Sequence, residues 1–225
     1  MKSIIVSNKS WHFGLAKKLQ KKTAHQFNMI YDKSELTLAQ LDKINPNYIF
    51  FPHWSYLIPK EIYTKYECII FHMTDLPYGR GGSPLQNLII RGHKETKLSA
   101  IKCAKELDAG PIYLQENLSL NGSAEEIFLR ASKLIESMIV KILSEKPNPI
   151  EQKGEATIFK RRTAEQGDWS DSKSLNEVFD RIRMLDADSY PPAFINIGQF
   201  KLEFSKASLK AENVIAEVKI RYLKK

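Results

Sequence analysis

The sequence predicts an α/β fold, a mostly parallel sheet with flanking helices followed by a small β-rich C-terminal unit. Three observations lead there. Over the first two thirds of the 225 residues, short apolar runs alternate with helical patterns, as strands joined by helical crossovers do. Residues 144–154 hold Pro147, Pro149 and Gly154 among polar side chains and read as a linker. After them the pattern changes to one helix and several short alternating strands.

Strands are expected at Ser3–Ser7, Gln26–Tyr31, Tyr48–Phe51, Cys68–His72, Leu98–Ala104 and Pro111–Gln115, with helices starting near Phe13, Pro59 and Pro84. A long helix begins at Ser123, where Glu126 completes a capping box. Ile127, Leu134, Ile135, Met138 and Ile142 then keep a helical period up to about Leu143. The main domain is therefore placed at 1–145. A C-terminal subdomain at 155–225 is expected to hold a helix over Ser174–Met184 and strands at Phe194–Ile197, Lys201–Phe204 and Val214–Ile220.

The chain carries a formal charge of +8, and residues 1–40 hold seven Lys against Asp32 and Glu35. Lys17, Lys18, Lys21 and Lys22 follow Trp11, Phe13 and Leu15, giving a solvated basic helix face that can steer an anionic ligand. No apolar run approaches the roughly 20 residues of a membrane span, and the first residues lack a signal-peptide core, so a cytoplasmic protein is expected. Cys68 and Cys103 have no Cys-x-x-Cys spacing. They read as buried free thiols, with no metal site.

In a parallel α/β sheet, ligands gather at the carboxyl ends of the strands. His53 and His72 both stand just after or at such ends, and Asp108 occupies the turn Leu107-Asp108-Ala109-Gly110. Behind His72, the stretch from Leu76 to Pro84 combines three glycines with a proline at a helix start, which lets backbone amides approach a ligand closely. It has neither dinucleotide nor P-loop spacing.

The run His72-Met73-Thr74-Asp75-Leu76-Pro77-Tyr78-Gly79-Arg80-Gly81-Gly82-Ser83-Pro84-Leu85-Gln86 resembles the active-site segment of folate-dependent formyltransferases. Leu107-Asp108-Ala109-Gly110-Pro111-Ile112 looks like that family's acidic turn, and Trp54-Ser55-Tyr56-Leu57-Ile58-Pro59-Lys60-Glu61-Ile62 is similar to its pterin-holding loop. Beyond the linker, Lys160-Arg161-Arg162-Thr163, Asp168-Trp169-Ser170 and the stretch from Ile182 to Pro191 resemble the C-terminal region of methionyl-tRNA formyltransferases and related enzymes. One position departs from the pattern: the family's catalytic Asn, two residues before the His, is Ile70.

The resemblance implies a Rossmann-like formyltransferase domain that moves a formyl group from 10-formyltetrahydrofolate to a primary amine. His72 and Asp108 would be catalytic, with His53 the candidate to replace the missing Asn. Tyr56, Leu57, Ile58, Lys105, Leu107 and Asp108 would line the folate site, and Trp11, Thr74, Tyr78, Gly79, Arg80 and Gly81 would meet the acceptor. From Glu151 onward there are 14 Lys and Arg against 12 Asp and Glu. That small surplus on a short C-terminal part points to an amino-sugar nucleotide acceptor, of the kind used in pseudaminic acid-type pathways, rather than tRNA. A methionyl-tRNA formyltransferase-like enzyme is the first alternative, and a catalytically degenerate folate- or nucleic-acid-binding module the second. A homodimer through the C-terminal unit is compatible with the sequence, and no membrane partner is expected.

Overall fold

The computed structural model of the chain describes residues 1–188 and 190–223. Ser189, Lys224 and Lys225, which fall in the expected C-terminal subdomain, lie outside the described residues. The elements are β1 (Lys2–Val6), α1 (Leu15–Lys22), β2 (Gln26–Ile30), α2 (Leu38–Ile44), β3 (Tyr48–Pro52), α3 (Lys60–Tyr63), β4 (Cys68–His72), β5 (Arg80–Gly81), α4 (Pro84–Ile90), β6 (Glu95–Lys102), β7 (Ile112–Ser119), α5 (Ala124–Glu145), β8 (Ile158–Phe159), α6 (Leu175–Arg183), β9 (Ala193–Ile197), β10 (Phe200–Leu209) and β11 (Val214–Tyr222). Contacts divide the chain into two compact units that are not contiguous in sequence. One comprises Met1–Gly81, Thr96–Leu118 and Leu129–Ile158, the other Gly82–Glu95, Ser119–Phe128 and Phe159–Lys225.

The first unit carries a six-stranded sheet in the order β2-β1-β3-β4-β6-β7. β1 pairs parallel with β2 and β3, and β3 pairs parallel with β4, whereas β6 runs antiparallel to β4. The fold is the expected Rossmann-like, mostly parallel α/β domain. Its strands are apolar runs because both faces are covered. Ile4, Val6, Ile49, Phe51 and Cys68 face one layer, which also takes up Ile30, Leu41, Ile62 and Cys103, while Ile5, Phe50 and Ile69 are buried on the opposite side.

Two features depart from the expectation. α2 is an additional helix, started by Thr37, whose side chain accepts from the Gln40 amide, and ended by Asn45 in the left-handed conformation. The stretch 144–154 does more than connect, because Ile150 exchanges two backbone hydrogen bonds with Ile112 at 2.7 and 2.9 Å. β6 starts three residues before its expected bound and ends at Lys102 rather than Ala104, and β7 runs past Gln115 to Ser119, since hydrogen bonding to neighbours sustains strands through charged residues such as Glu95, Lys97 and Glu116.

The second unit holds the antiparallel sheet β11-β10-β9, with α6 against β10. Ser174 caps α6 by accepting from the Glu177 amide. The buried Arg183 donates to the carbonyls of Leu120 and Gly122 at 2.6 and 2.8 Å and to Asp180 at 2.6 Å, so its charge is fully partnered. The expected capping box at the start of α5 is present: Ser123 and Glu126 bond each other's amides at 2.8 and 3.3 Å.

Candidate active site

β4 delivers His72 to the carboxyl end of the sheet, where it is 7% exposed. Its Nε2 lies 2.8 Å from the Gly79 carbonyl. A carbonyl oxygen can only accept, so Nε2 carries the proton and donates it, and Nδ1 is the nitrogen left for chemistry. Nδ1 faces the Asp108 carboxylate, with Oδ2 at 3.6 Å. That spacing is too long for a hydrogen bond. Asp108 is 8% exposed and adopts a left-handed backbone conformation, φ +53°. Its Oδ2 accepts from the Gly81 amide at 2.9 Å.

Two loops therefore meet around one imidazole and one carboxylate. The loop after β4 is clamped by Thr157, whose carbonyl accepts from Gly79 and Arg80. Thr74 is fully buried, its carbonyl taking the Ser99 hydroxyl at 2.7 Å while its own hydroxyl leans on the Gly79 carbonyl at 3.4 Å. Tyr78 is half-buried, its amide turned onto the Asp75 carbonyl at 3.0 Å. The loop holding Asp108 is fixed by close approach: a Cβ on Gly110 would lie 1.8 Å from the Lys102 carbonyl oxygen, so only glycine fits.

Gln152 joins the two loops. Its Nε2 donates to the carbonyls of Asp108 and Gly110, both at 2.8 Å, and its Oε1 accepts from Nε and Nη2 of Arg80 at 3.0 and 2.7 Å. The Arg80 guanidinium is thus held by the protein itself. Sequence reasoning missed Gln152, because a polar residue among prolines and glycines carries no mark of a partner.

A different surface lies at the ends of β1 and β3. His53 follows β3 with φ +50°, and its ring is 5.4 Å from that of Trp11. Burial, then the positive charge of Lys9, then His12 hold its pKa down at about 3, so the ring is neutral at ordinary pH. His12, also missed from sequence, is 1% exposed and bonds the Ser7 hydroxyl through Nδ1 at 2.9 Å. Burial and Lys9 bring its pKa to about 3 as well. Tyr56 and Leu57 are 45% and 83% exposed, while Ile58, Trp54 and Ile70 pack on the sheet's buried layer. Ile70 shares a strand face with His72, so the family's Asn position is filled by a packing residue.

Lys105 and Leu107 are exposed beside Asp108, Leu107 at 58%. Cys68 and Cys103 are buried free thiols joined by a backbone hydrogen bond of 2.8 Å. Burial, and then the Asp108 charge, push the Cys103 thiol up to about 11. Among the described residues no group of three or more His, Cys, Asp or Glu side chains could hold a metal, and no helix is long and apolar enough to cross a membrane.

Residues 3–143 match the family model described as formyl transferase, and residues 164–221 match the methionyl-tRNA formyltransferase C-terminal domain. A methionyl-tRNA formyltransferase of Rickettsia felis is 27% identical over 189 residues, covering 80% of this chain and 62% of the relative. The matched regions span 49–62% of the curated relatives' own lengths. The solved structure of a methionyl-tRNA formyltransferase from Clostridium thermocellum is 50% identical, with a TM-score of 0.96 over 99% of both chains. A sugar N-formyltransferase from a Shewanella species shares the fold, with a TM-score of 0.72 over 94% of this chain and 99% of its own, at 15% identity.

These matches overturn two expectations: that the acceptor is an amino-sugar nucleotide, and that tRNA is an improbable partner. Length was the wrong discriminator, since a protein of matching length at half identity is named a methionyl-tRNA formyltransferase. Net charge of the C-terminal part was a second, because phosphate contacts depend on where cations stand. Lys17, Lys18, Lys21 and Lys22, all exposed, are on α1 in the first unit.

Proposed function

Because the chain belongs to the formyl transferase family, we propose that it moves a formyl group from 10-formyltetrahydrofolate to the α-amine of methionyl-tRNA. The observation that carries this reading is the half-identity to the Clostridium thermocellum methionyl-tRNA formyltransferase along nearly the whole of both chains. The match of residues 164–221 to the C-terminal domain of such enzymes supports it.

The residues present suit the folate. Large apolar side chains usually leave water, yet Tyr56, Leu57 and Leu107 are exposed at 45%, 83% and 58%, offering a wall for a flat ring. They, with Ile58, Lys105 and the backbone at Asp108, would hold it. When bound, the folate supplies the formyl carbon that the amine attacks.

His72 works through Nδ1, since Nε2 is committed to Gly79. A protonated Nδ1 donates to the oxygen that gains negative charge, and the Asp108 carboxylate opposite stabilises that cation. Asp108 also accepts the proton that the amine must shed on acylation, directly or through water. The neutral His53 replaces the absent Asn as a second N–H donor, which needs no charge. The loop from Tyr78 to Gly81 shapes the wall towards the acceptor, and Trp11 lies beside His53.

The test is formyl transfer to initiator methionyl-tRNA by wild type, His72→Ala and Asp108→Ala. Wild-type turnover that each substitution lowers by at least about a hundredfold is expected. Transfer that survives them would remove these residues from the mechanism, and a wild-type protein inert towards methionyl-tRNA would remove the acceptor.

A further inference from the structure

We propose that Gln152 is a positioning residue of the transfer reaction, setting the Asp108 carboxylate against His72 by tying both site loops to one amide. The proposal rests on the formyl-transfer reading above and adds to it a residue from outside the recognised motifs.

The amide of Gln152 is saturated. A primary amide offers two N–H donors and two acceptor positions, and here Nε2 gives its hydrogens to the carbonyls of Asp108 and Gly110 while Oε1 takes both contacts from Arg80. The partners also fix which end is which, because carbonyls only accept and a guanidinium only donates. No other side chain of this length does both tasks. Glutamate would keep Arg80 but turn an oxygen towards two carbonyls; asparagine is one methylene short; alanine leaves the half-buried Arg80 without its acceptor.

Both loops depend on this tie. Asp108 holds a left-handed conformation that a non-glycine residue adopts at some cost, and two donors from Gln152 support the turn that imposes it. On the other side, Arg80 lies between Gly79, whose carbonyl receives the His72 proton, and Gly81, whose amide binds Asp108 Oδ2. Release of Gln152 therefore frees the carboxylate at its backbone carbonyl and at the Gly81 amide that binds its Oδ2. Displacement by about 1 Å at such a pair can cost about a hundredfold in rate.

The experiment compares full-length wild type, Gln152→Ala and Gln152→Glu, each also combined with Asp108→Ala. The readouts are formyl transfer to methionyl-tRNA, thermal melting, and the 15N signals of the His72 ring. In the Asp108-containing protein, both substitutions should lower kcat by about 10- to 100-fold with little change in KM for methionyl-tRNA. Placed on Asp108→Ala, they should cost at most about twofold, since a residue acting through Asp108 has nothing left to position. The His72 ring signals should move in variants that still melt cooperatively. Unchanged kcat, or an equal loss with and without Asp108, overturns the proposal. If Gln152→Ala does not fold, Gln152→Glu, which keeps the Arg80 contact, decides the matter. If wild type proves inert towards methionyl-tRNA, the acceptor assignment falls alone, and the His72 signals judge Gln152: moved signals uphold it and unmoved ones overturn it.

Discussion

The two sides of this site, both in the first unit, are built on opposite principles. Around His72 and Asp108, at 7% and 8% exposure, the chain itself fixes one end of each group by a short hydrogen bond, Nε2 to the Gly79 carbonyl and Oδ2 from the Gly81 amide. Around Tyr56 and Leu57, by contrast, aromatic and apolar side chains stand open, with Leu57 83% exposed. Where charge develops, prearranged dipoles do the stabilising and must not move. Where a ligand is only held, uncovered apolar surface is what gives affinity. Substitutions on the first side should therefore strike kcat and those on the second KM.

The largest effect tests the rigid side. His72→Ala and Asp108→Ala should each lower kcat by about 10²- to 10⁴-fold, measured as formyl transfer at saturating substrates. Gly110→Ala should act there without removing any functional group: its Cβ meets the Lys102 carbonyl at 1.8 Å, so the turn must shift. A stability loss of about 1–3 kcal/mol in thermal or urea unfolding is expected, along with most of the activity. A fully active and stable Gly110→Ala would show that the turn is softer than its packing implies.

His53 belongs to neither description, being a neutral ring beside Trp11. If its N–H replaces the missing Asn, His53→Ala should cost about a hundredfold in kcat, and adding Ile70→Asn should recover part of it. No recovery would mean that Ile70 is only a packing residue. On the open side, Leu57→Ser should raise the folate KM by up to about tenfold, equivalent to about 1.4 kcal/mol, with kcat nearly intact. A fall in kcat instead would break the division.

A further effect, on stability rather than turnover, concerns pH. His12 is buried and neutral with a pKa near 3, whereas in the unfolded chain it titrates near 6.5. Below about pH 6.5 the unfolded state therefore binds a proton that the native state refuses. Each further pH unit removes about 1.4 kcal/mol of stability until pH 3. His12→Asn, which can still reach Ser7, should roughly halve the slope of stability against pH between 6.5 and 4.5, because His53, held near 3 as well, contributes a similar share; an unchanged slope would place the acid sensitivity elsewhere.

Much of this was legible in the chain. The bounds of β4 were readable because a buried parallel strand is a continuous apolar run, and Asp108 because turn chemistry betrays itself through Ala109-Gly110. α2 escaped notice because seven residues give too few turns for a period to emerge, although Thr37 was a fair starting signal. Gln152 escaped because side-chain partners 44 and 72 residues away leave no local trace. The acceptor expectation rested on net charge and chain length, and a protein of matching length at half identity that is named a methionyl-tRNA formyltransferase shows that length does not separate the two classes.

The two thiols carry a practical consequence. Cys68 and Cys103 lie buried against one another's backbone, with burial pushing both thiols well above the usual cysteine range. Alkylating reagents attack the thiolate, so neither sulfur should react at neutral pH while the sheet is closed. Their labelling rate then becomes a clock for the opening of β4 from its neighbours, a built-in reporter of how often the strand that carries His72 breathes.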